Sequence, residues 1–449
     1  MKKLYASKII VMILLMVLSQ STFAQLPKET EAQKAQRMRW WTEARFGMFI
    51  HWGLYALPAR HEWVKNRERM TNEQYQKYFE NFNPDMFNPR EWAKMAKEAG
   101  MKYVVLTAKH HEGFCLWDSK YTDYKATNTP FGRDIIKEYV EAFRAEGLKV
   151  GFYYSLIDWH HPDYTIDRQH PLRQESDTAY ARLNKGRDMN KYREYMKNQV
   201  RELLSNYGEI SIIWFDFSFP GQYGKGRADW DSEGLLKLAR SLQPGIIVDD
   251  RLDLRDVEGG WDFTTPEQVK VDKWPEYNGK KIPWETCQTF SGSWGYYRDE
   301  YTWKSPAQLI ELLIESVSKG GNLLLNVGPT ARGTFDYRAQ ERLKAMGDWM
   351  RLNSRSIYGC TEAPAEFKAP ANTLLTYNPV SKRLYVHLLA YPLNRITLPG
   401  IAGKIRYVQF LHDASEIRYN TVQGTNDVSL QLPVLKPPVE IPVIEVILN

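Results

Sequence analysis

The sequence has few cysteines, and they do not form a metal-binding or disulfide pattern. Three occur in 449 residues, and Cys115, Cys287 and Cys360 lie far apart. Structural zinc sites use closely spaced cysteine or histidine pairs, and disulfide frameworks need an even, dense set. We therefore expect three free, buried thiols and neither a metal ion nor another cofactor.

The sequence also lacks a block of like charges, and nothing after its N-terminal apolar stretch resembles a membrane span. The net charge of +6 arises from 60 basic and 54 acidic residues distributed along the chain. Such a distribution gives no reason to expect a nucleic-acid or anionic-membrane partner. Repeats and low-complexity linkers are missing too, and no glycine-rich dinucleotide turn follows the first predicted strand.

The N-terminus has the pattern of a signal peptide. Three lysines among the first eight residues precede an apolar stretch at residues 9–18 and small residues up to Ala24. The apolar stretch is too short to span a bilayer comfortably. We expect residues 1–24 to be a bacterial-type signal peptide, with Gln25 as the mature start and the protein exported to the periplasm or secreted.

Aromatic residues are abundant, with 15 Trp and 27 Tyr. Flat rings with a polar edge suit stacking on the C–H faces of sugars, but the core of a large barrel also consumes them. Composition alone leaves both interpretations open.

Short apolar strands alternate with amphipathic helices up to about residue 356. Helices are expected at residues 134–146, 190–206, 232–242 and 306–318, with others between the first strands. Eight strands are expected at residues 46–51, 103–107, 149–154, 210–215, 246–248, 261–263, 283–289 and 322–327. Eight such units predict a parallel (β/α)8 TIM-like barrel over residues 25–358, with a doubly wound sheet as the alternative.

Beyond Cys360 the pattern changes to short strands separated by turns. Strands are expected near residues 374–377, 383–388, 405–410 and 428–432, after a connecting helix at 336–352. Residues 359–449 are therefore predicted to form an appended β-sandwich.

Polar and titratable residues cluster where the predicted barrel strands end. Active sites of such barrels form at the carboxyl ends of the strands. The group comprises His51, Lys109, His110, His111, Tyr154, Asp216, Asp250, Arg251, Glu267 and Glu285. Two carboxylates in different surroundings, together with Arg, His and many Trp, favour a glycosidase. Asp216, on a buried strand, suits the nucleophile, and Glu267 or Glu285 could serve as the acid.

Four motifs in order resemble glycoside hydrolase family 29, the α-L-fucosidases. They are RFGMFIHWG at residues 45–53 with Glu62-Trp63 after it, KHHEGFCLWD at 109–118, WFD at 214–216 and WETC at 284–287. The resemblance covers the whole barrel, and the appended sandwich fits it. It implies an exo-acting, retaining hydrolase that releases terminal α-L-fucosyl residues from fucosylated oligosaccharides or glycoconjugates through a covalent intermediate.

The resemblance also implies roles for individual residues. Asp216 corresponds to the nucleophile, and Glu267 is our choice for the acid/base, with Glu285 as the runner-up and Glu258 and Glu300 weaker. Implied sugar-binding positions are His51, Glu62, Trp63, His110, His111, Tyr154, Trp214, Arg251 and Trp294. Linkage preference should depend on loops, above all residues 164–185 and 221–231.

The alternative functions are a metal-dependent barrel hydrolase and a non-catalytic sugar-binding barrel. A metal-dependent barrel hydrolase would usually carry His-x-His on its first strand, and the adjacent His110 and His111 should point in different directions on an extended chain. A non-catalytic sugar-binding barrel would have lost a catalytic carboxylate, whereas Asp216 and a candidate glutamate are present.

Overall fold

The computed structural model describes residues 29–449. The predicted signal peptide at residues 1–24 lies outside the described residues. Within residues 29–449, no helix has both the length and the apolar character needed to cross a membrane.

A curled parallel sheet forms the centre of the fold. Its seven strands lie in the order β5-β4-β3-β2-β1-β9-β8, and every neighbouring pair is parallel. The bounds are β1 Phe46–Ile50, β2 Tyr103–Lys109, β3 Lys149–Ser155, β4 Ile212–Asp216, β5 Ile247–Val248, β8 Glu285–Thr289 and β9 Asn322–Val327; β6 Glu276–Tyr277 and β7 Lys280–Lys281 form a separate hairpin. Strands buried on both faces are typical of a parallel sheet covered by helices, which confirms the predicted barrel-type fold.

The prediction of a strand at residues 261–263 is wrong. Single bridges join Phe263 to Asp249 and Thr264 to Trp284, so this segment occupies the gap between β5 and β8 without a continuous ladder. The carboxylate of Asp262 replaces a backbone acceptor there, taking the N–H of Val248 at 2.8 Å. A side chain that pairs with the neighbouring strand interrupts the regular backbone ladder.

The barrel interior has its own hydrophobic cluster, which includes Phe49, Tyr153, Trp214 and Leu324. Helix α1, Glu31–Ala44, covers the end where the strands begin, with Trp41 packed on Phe263 at 4.7 Å between ring centroids. The opposite end, where the strands finish, stays open to the loops.

The outer helices pack on the other face of the sheet. Their apolar residues form a larger cluster with the outward-facing residues of the strands. The predicted helices are confirmed within two residues at each end. The bounds are α2 Val64–Arg67, α3 Asn72–Glu80, α4 Pro89–Glu98, α5 Ile135–Ala145, α6 Asp177–Asn184, α7 Met189–Ser205, α8 Arg227–Trp230, α9 Ser232–Leu242, α10 Pro306–Ser318 and α11 Tyr337–Asn353.

Two antiparallel sheets follow α11 and share a second hydrophobic core. One has the order β10-β11-β12-β17-β14 and the other β13-β16-β15. The bounds are β10 Thr361–Glu362, β11 Thr373–Asn378, β12 Arg383–Leu388, β13 Arg395–Leu398, β14 Ile405–Phe410, β15 Tyr419–Thr421, β16 Val428–Gln431 and β17 Val443–Leu448. The division of the chain between residues 358 and 359 stays a prediction. The three cysteines are buried and free, as expected.

Candidate active site

The carboxyl ends of the barrel strands surround a small cavity of about 80 Å³. Most of the residues expected at the site meet there. The lining residues are Phe49, His51, Trp63, His110, His111, Tyr153, Trp214, Asp216, Phe217, Arg251, Glu267, Cys287 and Trp294. The predicted cluster of polar residues at the strand ends therefore corresponds to a cavity in the structure.

Asp216, the last residue of β4, is held by two donors. The Tyr153 hydroxyl donates to Oδ2 at 2.7 Å, and Nη1 of Arg251 donates to Oδ1 at 2.8 Å. Burial and the neighbouring Asp216 carboxylate raise the pKa of Tyr153 well above its ordinary value, so its hydroxyl keeps the proton that it donates. These two bonds fix the carboxylate in one position. The Asp216 side chain is 10% exposed.

Glu267 forms an ion pair with the same arginine, Arg251. Nη2 of Arg251 is 2.9 Å from Oε2 of Glu267, whose side chain is 42% exposed. The guanidinium is itself positioned by the Thr265 hydroxyl, which accepts from Nε at 2.9 Å. One planar cation thereby joins a buried carboxylate to a half-exposed one, an unequal pair of the kind that glycosidases use.

Glu285 is not at the carboxyl end of a strand, contrary to expectation. It is the first residue of β8 and lies buried at the opposite end of the barrel, where the Tyr103 hydroxyl donates to it. Burial raises the pKa of Glu285 to about 7. The WETC motif begins its strand, so Cys287, two residues further along on the same face, reaches the cavity instead.

The expectation that His110 and His111 point apart is also wrong. Their ring centroids are 4.0 Å apart, and both rings line the cavity. Strand β2 ends at Lys109, and the chain then turns, with the Gly113 N–H donating to the His110 carbonyl at 3.0 Å. The alternation of an extended strand no longer applies in a turn.

The histidines of the cavity are neutral. Burial lowers the pKa of His51 to about 3, and it lowers the pKa of His110 and His111 well below the ordinary value. Nδ1 of His51 lies 2.6 Å from Oδ1 of Asn326, and Nδ1 of His111 lies 2.7 Å from the Ser155 hydroxyl. Neutral imidazoles fixed through one nitrogen can use the other as a hydrogen-bond partner for a ligand hydroxyl.

Tyr154 does not reach the cavity, and its neighbour Tyr153 does. The Tyr154 hydroxyl donates to Gln199 on α7 at 2.8 Å, on the outer face of β3. Successive strand residues face opposite sides, and Tyr153 shares the inward face with Ser155, the register partner of Asp216. This parity identifies Tyr153 only once the register between β3 and β4 is known.

Glu62 supports the rim of the cavity. Its Oε2 accepts from the Ser293 hydroxyl at 3.2 Å and from the Gly295 N–H at 2.9 Å, and burial raises its pKa to about 7. This loop also carries Trp294, whose ring lies 5.1 Å from that of His51.

Phe217 lines the cavity but is not among the site residues predicted from the sequence. It follows Asp216 with a φ of 87°, and its ring packs against Trp63 at 5.4 Å. A left-handed conformation in a bulky residue is costly and marks the sharp turn that leaves Asp216 at the cavity.

Comparison with known proteins relates this chain to alpha-L-fucosidases. The family model "Alpha-L-fucosidase" matches residues 13–355. The human plasma alpha-L-fucosidase is 31% identical over 383 residues, covering 79% of this chain and 76% of that protein. Alpha-L-fucosidase isoenzyme 1 from Paenibacillus thiaminolyticus is 44% identical with a TM-score of 0.86, covering 93% of this chain and 99% of that one.

A second similar structure is that of a reaction intermediate. It is a family 29 alpha-L-fucosidase from Bacteroides thetaiotaomicron, a trapped covalent intermediate in complex with 2-fluoro-fucosyl fluoride, obtained with a glutamate-to-glutamine mutant. It is 29% identical with a TM-score of 0.79, covering 95% of this chain and 98% of that one.

Proposed function

This chain belongs to the α-L-fucosidase family, glycoside hydrolase family 29, and from that premise we propose how its own residues carry out the reaction. The protein is an exo-acting, retaining α-L-fucosidase. It hydrolyses terminal α-L-fucosyl residues of fucosylated glycans by double displacement, through a covalent fucosyl–enzyme. The observation that carries the residue assignment is the arginine shared by Asp216 and Glu267 at the cavity.

Asp216 is the nucleophile in this proposal. Its carboxylate attacks the anomeric carbon, the glycosidic bond breaks, and a fucosyl ester forms. The Tyr153 hydroxyl and the Arg251 guanidinium hold the attacking carboxylate, which supports the assignment because a fixed nucleophile reacts without a large loss of entropy.

Glu267 is the acid/base. It gives its proton to the departing glycosidic oxygen, and then as a carboxylate it takes a proton from the water that cleaves the ester. Its 42% exposure supports this role, because the acid must reach both a leaving group and incoming water. Trapping of the Bacteroides intermediate in a glutamate variant fits a glutamate acting in the second step.

The neutral histidines recognise sugar hydroxyls, and the rings recognise apolar surface. His51, His110 and His111 can each donate or accept a hydrogen bond in the enclosed cavity. Phe49 and Trp214 line the same cavity, and apolar walls suit the C5 methyl group of fucose, which has no hydroxyl to satisfy.

The stereochemical course tests the proposal. Purified protein should hydrolyse an aryl α-L-fucoside and release the α-anomer of fucose first, as followed by proton NMR before mutarotation. Release of the β-anomer first would indicate direct attack by water, and neither Asp216 nor Glu267 would then have the assigned role.

We propose in addition that the protein is exported. The positively charged start, the apolar stretch at residues 9–18 and the small residues before Gln25 support a cleaved signal peptide. Mass measurement of protein from the extracytoplasmic fraction should give a chain that begins at Gln25. Recovery of the chain with residues 1–24 attached, in the cytoplasm, would reject this proposal.

A further inference from the structure

A second, open cleft lies next to the enclosed cavity. Its volume is about 620 Å³, against about 80 Å³ for the cavity. The two share three lining residues, Asp216, Phe217 and Arg251. The nucleophile therefore stands at the junction of a small enclosed space and a large open one.

We propose that this cleft is the subsite for the leaving-group sugar, and that it takes a neutral pyranose. The inference rests on the proposed function, which places the scissile bond at Asp216. An exo-acting enzyme encloses the terminal sugar, so the remaining glycan has to leave the junction through the open side. The residues that line that side are 217–219, Asp250, Asp253, Arg255, Asp256, Thr265 and Tyr277, with Gln169 from the loop at 164–185.

Tyr277 gives the cleft an aromatic surface. It lies on the β6–β7 hairpin and is 36% exposed. Its ring meets that of Trp261 edge to face at 5.7 Å, and the Trp261 indole donates to the Arg255 carbonyl at 3.2 Å. A ring held in this way offers apolar surface against which the C–H face of a pyranose can pack.

The charged groups of the cleft favour a neutral ligand. Four aspartates line it, and arginines pair with all four: Arg251 with Asp216, Arg255 with Asp250, and Arg227 with Asp253 and Asp256. The Arg255 guanidinium pairs with Asp250 yet stays 59% exposed, while Asp256 pairs with Arg227 and is 66% exposed. Exposed donors and acceptors can bind sugar hydroxyls, whereas charges that already have partners give no net attraction for sialic acid, uronic acid or sulfate on the leaving group.

The first test compares two substrates that differ in the leaving group. Fucosyllactose places a sugar in the cleft, whereas α-L-fucosyl fluoride releases only fluoride. Tyr277→Ala should lower kcat/KM for fucosyllactose about fivefold to tenfold more than for the fluoride, as loss of one aromatic contact implies. Equal losses on both substrates would overturn the proposal. If the wild-type protein hydrolyses neither substrate, the proposed function itself fails.

Tyr419→Ala is the matched control. Tyr419 is 37% exposed and lies on β15 of the C-terminal sheets, away from both cavities. The control should keep the wild-type ratio of the two kcat/KM values. A ratio changed as much by Tyr419→Ala as by Tyr277→Ala would also overturn the proposal.

A second variant tests the role of charge in the cleft, at a residue outside the β6–β7 hairpin. Asp256→Asn removes one exposed negative charge. It should raise kcat/KM for a fucosylated glycan with a sialylated leaving group about twofold to fivefold relative to its neutral counterpart, and less at high salt. No relative change at low salt would show that the leaving group does not lie in this cleft.

Discussion

The hydroxyl of Tyr153 donates a 2.7 Å hydrogen bond to Oδ2 of Asp216, across the boundary between β3 and β4. The adjacent Tyr154 faces the opposite side of β3 and bonds Gln199. Of these two neighbouring tyrosines, one contacts Asp216 at the cavity and the other packs behind the sheet. This difference makes them a matched pair for mutagenesis.

Tyr153→Phe should reduce kcat/KM on an aryl fucoside about tenfold to hundredfold. The change removes a hydrogen bond to a charged group, worth about 1.5–3 kcal/mol, without changing the ring. Tyr154→Phe is the control and should stay within about threefold of the wild type, since its hydroxyl bonds a helix. Steady-state kinetics of both variants decides, and equal losses would mean that Tyr153 contributes only to packing.

Asp216→Gly should abolish turnover, with a loss on the order of 10³-fold or more in kcat, while the fold persists. The space left by the side chain should admit azide, which can attack the anomeric carbon in its place. Turnover of an activated fucoside should then return with azide concentration and give a fucosyl azide, detectable by mass spectrometry. A folded variant with near-wild-type activity would leave Asp216 without a catalytic role.

The position of Asp216 could be predicted from a simple rule. An apolar run that ends in a lone carboxylate places that group at the carboxyl edge of a parallel sheet, and Asp216 lies there. The long helices can also be predicted, because their first turns carry caps: Asn88 precedes Pro89, and Ser305 forms a capping box with Gln308.

Other features depend on which end or face of a strand a residue occupies. Glu285 stands at the start of β8, and the WETC motif does not show where this strand begins and ends. Tyr153 and Tyr154 are indistinguishable until the register with Asp216 fixes the inward face. The turn that brings His110 and His111 together, and the bridges that replace a strand at residue 263, arise from tertiary contacts.

Glu267→Ala should show dependence on the leaving group. An acid is needed to expel a sugar but barely needed for an acidic phenol, so the loss should be on the order of 10²–10⁴-fold on fucosyllactose and far smaller on a dinitrophenyl fucoside. Azide, which needs no base, should accelerate breakdown of the intermediate. Glu285→Ala is the control, and its effect should be similar for both substrates. If the dependence and the rescue appear with Glu285→Ala instead, the two assignments exchange.

Glu285→Gln should instead change how stability depends on pH. Burial raises the folded-state pKa of Glu285 to about 7, above its ordinary value of 4.5, so between these values the folded protein binds a proton that the unfolded chain has lost. The raised pKa therefore contributes its full stability below pH 4.5, and this contribution is lost as the pH rises to about 7. Glutamine stays neutral throughout, so the variant should gain stability relative to wild type between pH 4 and pH 8, by at most about 3 kcal/mol. Thermal unfolding of both proteins at the two pH values measures this gain as a change in the difference between their Tm values. A difference that is the same at both pH values would mean that the Glu285 carboxyl titrates alike in the folded and unfolded chain.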